Sequence, residues 1–267
     1  MAGISREEFH RAFINKRFWL VGLLAAISFA YGYGQIPLGR IRLGQDYQLG
    51  AISAWQGILP RGAYGFFATL MAGLPFADSL LRDRRHHYAG QVLLRTRYKS
   101  YLCAKILAVF CSGAAAVLAP ALILLIVCLM TFPPDTQIVL DLSFSIGNIL
   151  NPNVIEPGGS LAASPGAFVA VSLLMLALFG GVYALLGLGA SFLIRNPYIV
   201  LGMPFLIYSF GEYILPTSRQ LSWLGSTEGA LLPFFGLLSP LLQYLAATAL
   251  FALCVLLFGK KERILMD

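Results

Sequence analysis

Residues 78–105 read DSLLRDRRHHYAGQVLLRTRYKSYLCAK and gather seven of the chain's nineteen Lys and Arg residues: Arg82, Arg84, Arg85, Arg95, Arg97, Lys99 and Lys105. Two acids, Asp78 and Asp83, stand among them, and long apolar runs flank the stretch on both sides. A nucleic-acid patch, a cytoplasmic loop of a membrane protein and a docking element for a partner would all carry this charge. The surrounding sequence separates them.

Hydrophobic residues make up 58% of the 267 and charged residues 12%, where a soluble domain has roughly 25% charged residues. So few charges cannot cover a soluble fold of this length, so lipid is the expected solvent for most of it. A bilayer core needs about 20 mostly apolar residues per helix. Six stretches qualify, at about 18–36, 62–81, 102–132, 167–194, 198–215 and 237–258. Pro197 divides the fourth from the fifth and leaves a tight turn around Arg195 and Asn196.

Six spans put both termini on one side. That side carries Arg6, Arg11, Lys16, Arg17, the seven cations of 78–105, Arg195, Lys260, Lys261 and Arg263, fifteen in all. The other side carries four, Arg40, Arg42, Arg61 and Arg219. The positive-inside bias therefore predicts cytoplasmic termini and a cytoplasmic 78–105 loop in a plasma-membrane protein. The apolar run after Lys16 and Arg17 shows no small-residue cleavage site, so a span rather than a removed leader is expected there.

At the start of the chain, Ser5 and Glu8 have the capping-box spacing, and Phe9 and Phe13 sit four apart among Arg6, His10, Arg11 and Lys16. Residues 5–16 read either as an amphipathic helix on the cytoplasmic face or as an extension of the first span. Ala108, Ser112, Ala116 and Pro120 recur every four residues, and Ala177/Gly181 and Gly187/Ser191 form small-xxx-small pairs. Such faces allow close helix packing, within the bundle or across a dimer. Residues 138–146, IVLDLSFSI, alternate like a short strand or interfacial segment, and 216–236 could form a re-entrant hairpin.

Enzyme signatures are missing. No HExxH, GxSxG or GxxxxGK[ST] occurs, and His10, His86 and His87 have no partner nucleophile in a recognisable motif. His86-His87 reads as a metal pair or as a solvated polar pair. Cys103, Cys111, Cys128 and Cys254 form no CxxC or Cys/His set and read as small buried hydrophobes. No catalytic, cofactor or metal site is therefore expected. Glu212, near the outer end of the fifth span, is a pathway or outer-gate candidate with Arg219 seven residues on; the plainer reading is a hydrated interfacial carboxylate.

No nucleic-acid-binding signature surrounds 78–105, so that explanation falls away. The internal order of the stretch goes beyond orientation: a breaker at Gly90, apolar QVLL, then Arg95, Arg97 and Lys99 leading into a span. A short helix joined to two spans in this way could transmit a partner's movement.

Three stretches, FHRAFINKRFWLVGLL at 9–24, AGLPFADSLLRDRR at 72–85 and YAGQVLLRTRYKSYLCAKILAVFCSG at 88–113, resemble the ABC-2 type transporter permeases, in particular small six-span permeases of Gram-positive bacteria. The resemblance implies an all-α integral membrane fold of type V-like architecture with an N-terminal amphipathic helix. It also implies a coupling element at about 84–99 that docks on a separate ATP-binding subunit. Tyr88, Val92 and Leu93 would fill an apolar groove on that ATPase, with Gly90 as the break and Arg84, Arg85, Arg95, Arg97 and Lys99 around it. ATP and Mg would belong to the partner, and a second permease copy or paralogue would complete an exporter in the lipid bilayer. The runner-up is a non-transporting sensor or immunity subunit that uses the same ATPase coupling.

Overall fold

A computed structural model of the chain describes residues 2–43, 50–85, 88, 92, 94, 98–134, 165–214, 245–246 and 248–253. Every regular element among them is an α-helix. In chain order these are α1 (Ala2–Phe13), α2 (Arg17–Leu43), α3 (Ala51–Arg61), α4 (Tyr64–Gly73), α5 (Ser79–Arg85), α6 (Tyr98–Thr131), α7 (Pro165–Leu193) and α8 (Pro197–Ile214). Among the described residues, three segments are long and apolar enough to cross a membrane: Arg17–Gln35, Tyr98–Thr131 and Val169–Leu193. Their outer faces carry bare large apolar side chains, from Trp19 (84% exposed) on α2 to Met130 on α6 and Leu174 on α7, as expected where the solvent is lipid.

The helix starts follow local chemistry. Asn196 accepts a hydrogen bond from the Tyr198 N–H through its side chain at 3.0 Å, and Pro197 opens α8, so Asn caps and Pro sits where its missing donor costs nothing. Asn15 does the same for the Arg17 N–H at 3.2 Å, which separates α1 from α2. The amphipathic start is thus a helix of its own. It begins at Ala2, so Ser5 lies inside it and does not cap it.

The second expected span, 62–81, is not one helix. The path begins earlier, at α3, breaks at Gly62 and Ala63, continues as α4, and turns again over 74–78 before α5. Ala63 adopts left-handed backbone at φ 52°, which no helix interior accommodates. This path runs antiparallel to α6. The Ala51 N–H donates to the Pro133 carbonyl at one end, and Asp83 meets Lys105 and Tyr101 at the other. Ser28 Oγ donates to the Gly62 carbonyl at 2.7 Å, and Tyr64 OH to the Val117 carbonyl at 2.6 Å. At 1.5 Å per residue, Ser28 lies about 17 Å along α2 from Arg17 and Val117 about 18 Å along α6 from Lys105. Both measures put the break level with the middle of two helices long enough to cross a core about 30 Å thick. Arg61, which closes α3, is therefore within the path and not at its outer end.

The break faces a second interruption. Pro120 lies inside α6 and cannot donate to the turn before it. Tyr64 bonds the carbonyl of Val117 in that turn, and Trp55 Nε1 bonds the carbonyl of Ala121 just beyond it at 3.0 Å. Both aromatic rings are buried, so the donors reach the backbone without admitting water.

Small residues set the helix spacing. Ala108, Ser112, Ala116 and Pro120 are all buried inside the single chain, so this face packs the bundle. Gly113 of α6 and Gly180 of α7 touch backbone to backbone. A Cβ on Gly180 would stand 2.6 Å from the Gly113 carbonyl oxygen, nearer than real Cβ atoms come. The Phe110 ring lies over Gly181, and Gly187 meets Ala77 and Pro204. Tyr208 of α8 closes the core, with its ring edge-on to Phe66, Phe179 and Tyr183.

Candidate functional site

The described charges concentrate at the end of the bundle where α1, α5 and the start of α6 meet. Lys105 is 0% exposed, and its side chain reaches Asp83, the Tyr101 hydroxyl at 2.9 Å, and Glu8 Oε2 at 3.5 Å. Tyr101 donates to Asp83 Oδ2 at 2.6 Å. Arg11 donates to Asp83 Oδ1 at 2.7 Å and to Glu8 Oε1 at 3.1 Å, and its guanidinium lies over the Tyr88 ring at 4.3 Å. Two acids thus face two cations with a tyrosine between them, and three separate helices contribute. A buried ammonium is tolerable only where counter-charges face it, and Lys105 has two, Asp83 and Glu8, with hydrogen bonds to Asp83 and Tyr101.

Asp83 shows the balance of forces. Burial alone would push its carboxyl up, but the Lys105 charge and the hydrogen bonds from Arg11, Lys105 and Tyr101 outweigh that and hold it below the ordinary carboxylate range. Arg11 is likewise desolvated, yet Asp83 and Glu8 hold its proton more firmly than in water.

A second clip lies beside the first. Arg17, at the start of α2, pairs with Asp78 at 2.8 Å and donates to the Leu74 carbonyl at 3.3 Å. Arg82 approaches the same Asp78 oxygen at 3.2 Å and covers the Phe76 ring. Asn15 donates to the Pro75 carbonyl at 2.8 Å. The 14–16 break and the 74–78 turn are therefore fastened together, and α1 hangs from both clips.

Of the residues expected to face a partner, Arg84 lies over the Phe192 ring at 5.4 Å and Arg85 donates to the Arg195 carbonyl at 3.0 Å. Arg84 thus ties α5 to the end of α7, and Arg85 ties it to the turn between α7 and α8. Tyr88 is half-buried under Arg11, and Val92 packs against the core. Lys99 is exposed. Gly90, Leu93, Arg95 and Arg97 lie outside the described residues, as do Arg219, residues 138–146 and residues 216–236. Glu212 belongs to α8, far along the chain from the cluster.

Reading by residue type missed the acids. Glu8 reads from sequence as a cap, Asp78 and Asp83 as minor exceptions in a basic loop, and Lys105 as one more orienting charge. The usable signal is Tyr101 and Lys105 four apart at the mouth of an apolar run, where an unpaired ammonium would be costly. Compared with known proteins, the chain matches no family model, no curated sequence and no solved structure.

Proposed function

We propose that the chain is the membrane subunit of an ATP-binding-cassette exporter of the six-span ABC-2 permease kind, with both termini and the 84–99 segment in the cytoplasm. A separate ATPase holds ATP and Mg and docks on that segment, and a second permease copy or paralogue completes the path. Glu212 and Arg219 are the candidates for its outer gate.

The observation that carries this reading is how the segment's two ends are anchored. Asp83 of α5 and Lys105 of α6 are locked to each other and to α1, while Arg84 holds α5 to the end of α7 and Arg85 holds it to the α7–α8 turn. A docking element joined to the bundle through buried charge contacts passes a displacement to the helices, which a slack linker would absorb. The likeness of 72–85 and 88–113 to ABC-2 permeases points the same way.

The test is purification in gentle detergent from cells expressing the neighbouring genes, followed by identification of co-purifying chains and an ATPase assay. A stoichiometric partner with a phosphate-loop motif is expected, lost when Tyr88, Leu93 and Arg95 are changed together. A clean preparation without an ATPase would sink the reading and leave 78–105 as an orientation signal.

A further inference from the structure

Arg11 touches three parts of the chain at once. One nitrogen bonds Glu8 of its own helix, another bonds Asp83 of α5, and the face of the guanidinium lies 4.3 Å from the centre of the Tyr88 ring. A guanidinium is planar, with donors in its edge and a cationic face, so it can serve two carboxylates and one aromatic ring together. A lysine ammonium could keep the Asp83 pair but has no face to lay on Tyr88. Asp83 is itself fixed by Lys105 and Tyr101, so the plane of Arg11 is set from α6.

We infer that Arg11 is a positioning residue for Tyr88, joining α1, α5 and Tyr88 into one body that Lys105 couples to α6. The inference rests on the proposed coupling role of 84–99 for its purpose but not for its geometry. A load on Tyr88 would reach α1 through the stacked guanidinium and α6 through Asp83, with no intervening hinge among these contacts.

The test uses the full-length protein in detergent, as wild type, Arg11→Lys, Tyr88→Leu and the double variant, with Arg6→Lys as an exposed control. Amide hydrogen exchange in the peptide containing Tyr88 is read alongside capture of the co-expressed ATPase, and melting temperature verifies folding. Arg11→Lys should speed exchange around position 88 by roughly threefold to thirtyfold, the range of a partly desolvated cation–π contact, while Arg6→Lys leaves it unchanged. The double variant should exchange no faster than the faster single variant, because both lose the same contact. Unchanged exchange in Arg11→Lys, or additive effects in the double, would overturn the inference. If exchange responds but Tyr88→Leu captures the ATPase in full, the positioning stands and the coupling role of Tyr88 falls.

Discussion

The ammonium of Lys105 on α6 meets the carboxylate of Asp83 on α5 where neither is in contact with solvent, at 0% and 1% exposure. Removing one member of a buried pair leaves the other without its counter-charge, which costs about 3–5 kcal/mol. Lys105→Met should therefore lower stability by about that much, because Glu8 and Asp83 would be left to Arg11 alone. Adding Asp83→Asn to Lys105→Met should cost less than the two single changes summed, since the second change removes the stranded charge. Thermal unfolding in detergent measures all three. A Lys105→Met protein that melts like wild type would mean that the cluster does not hold the helices.

The same carboxylate predicts a pH response. Its folded-state pKa lies below the unfolded value of about 3.9. Asp83 therefore contributes stability that is present above that range and is lost as pH falls through it toward the folded value. The groups facing it are Glu8 and Arg11 from α1 and Tyr101 and Lys105 from α6, with Tyr88 beyond Arg11. Melting temperature should drop from about pH 5 downward, and Asp83→Asn should flatten that drop while lowering the neutral-pH value. An identical acid profile in both proteins would place the titrating group elsewhere.

Run length made the long helices legible, and Pro197 made the turn between α7 and α8 legible. The broken path was hidden because 51–61, AISAWQGILPR, mixes Gln56, Pro60 and Arg61 with apolar residues. Its burial depends on Trp55 finding the Ala121 carbonyl, a contact 66 residues away in sequence. The charge cluster was hidden for a related reason. Counting cations toward orientation treats Lys105 and Lys99 alike, yet one is buried and the other exposed. What distinguishes them is Asp83, 22 residues away, and Glu8 on another helix, and neither pairing has a local signature. The four-residue stripe of α6 announced close packing, but that Gly180 would face Gly113 follows only from the register of α6 against α7.

That register gives a steric prediction. In Gly180→Ala the new methyl would sit 2.6 Å from the Gly113 carbonyl oxygen and 3.0 Å from a Val117 methyl. The nearest obstacle is backbone and cannot swing aside, so α6 and α7 must separate, at a cost of about 1–3 kcal/mol. Gly22→Ala on α2 is the control, because nothing lies within 4 Å of its Cβ position. It should be neutral or slightly stabilising, since alanine favours the helix by about 0.5–1 kcal/mol. Equal melting temperatures for the two variants would show that the interhelical approach is looser than described.

The break at Gly62 and Ala63 offers a double-mutant test. Pro120 has no N–H for the Ala116 carbonyl and its ring crowds the preceding turn, where the Tyr64 hydroxyl bonds the Val117 carbonyl at 2.6 Å. Tyr64→Phe should destabilise by about 0.6 kcal/mol and by no more than about 1.7, the mean and the maximum for hydrogen bonds between membrane helices. Pro120→Ala restores the N–H that pairs with the Ala116 carbonyl and removes the ring that crowds this turn, so the Val117 carbonyl can close more fully on the Ala121 N–H, four residues on. In that background Tyr64→Phe should cost markedly less, a coupling visible in thermal unfolding of the four proteins. If the loss is the same with and without proline, the tyrosine serves packing beside Phe29, whose ring stacks on it at 5.2 Å, and not the carbonyl.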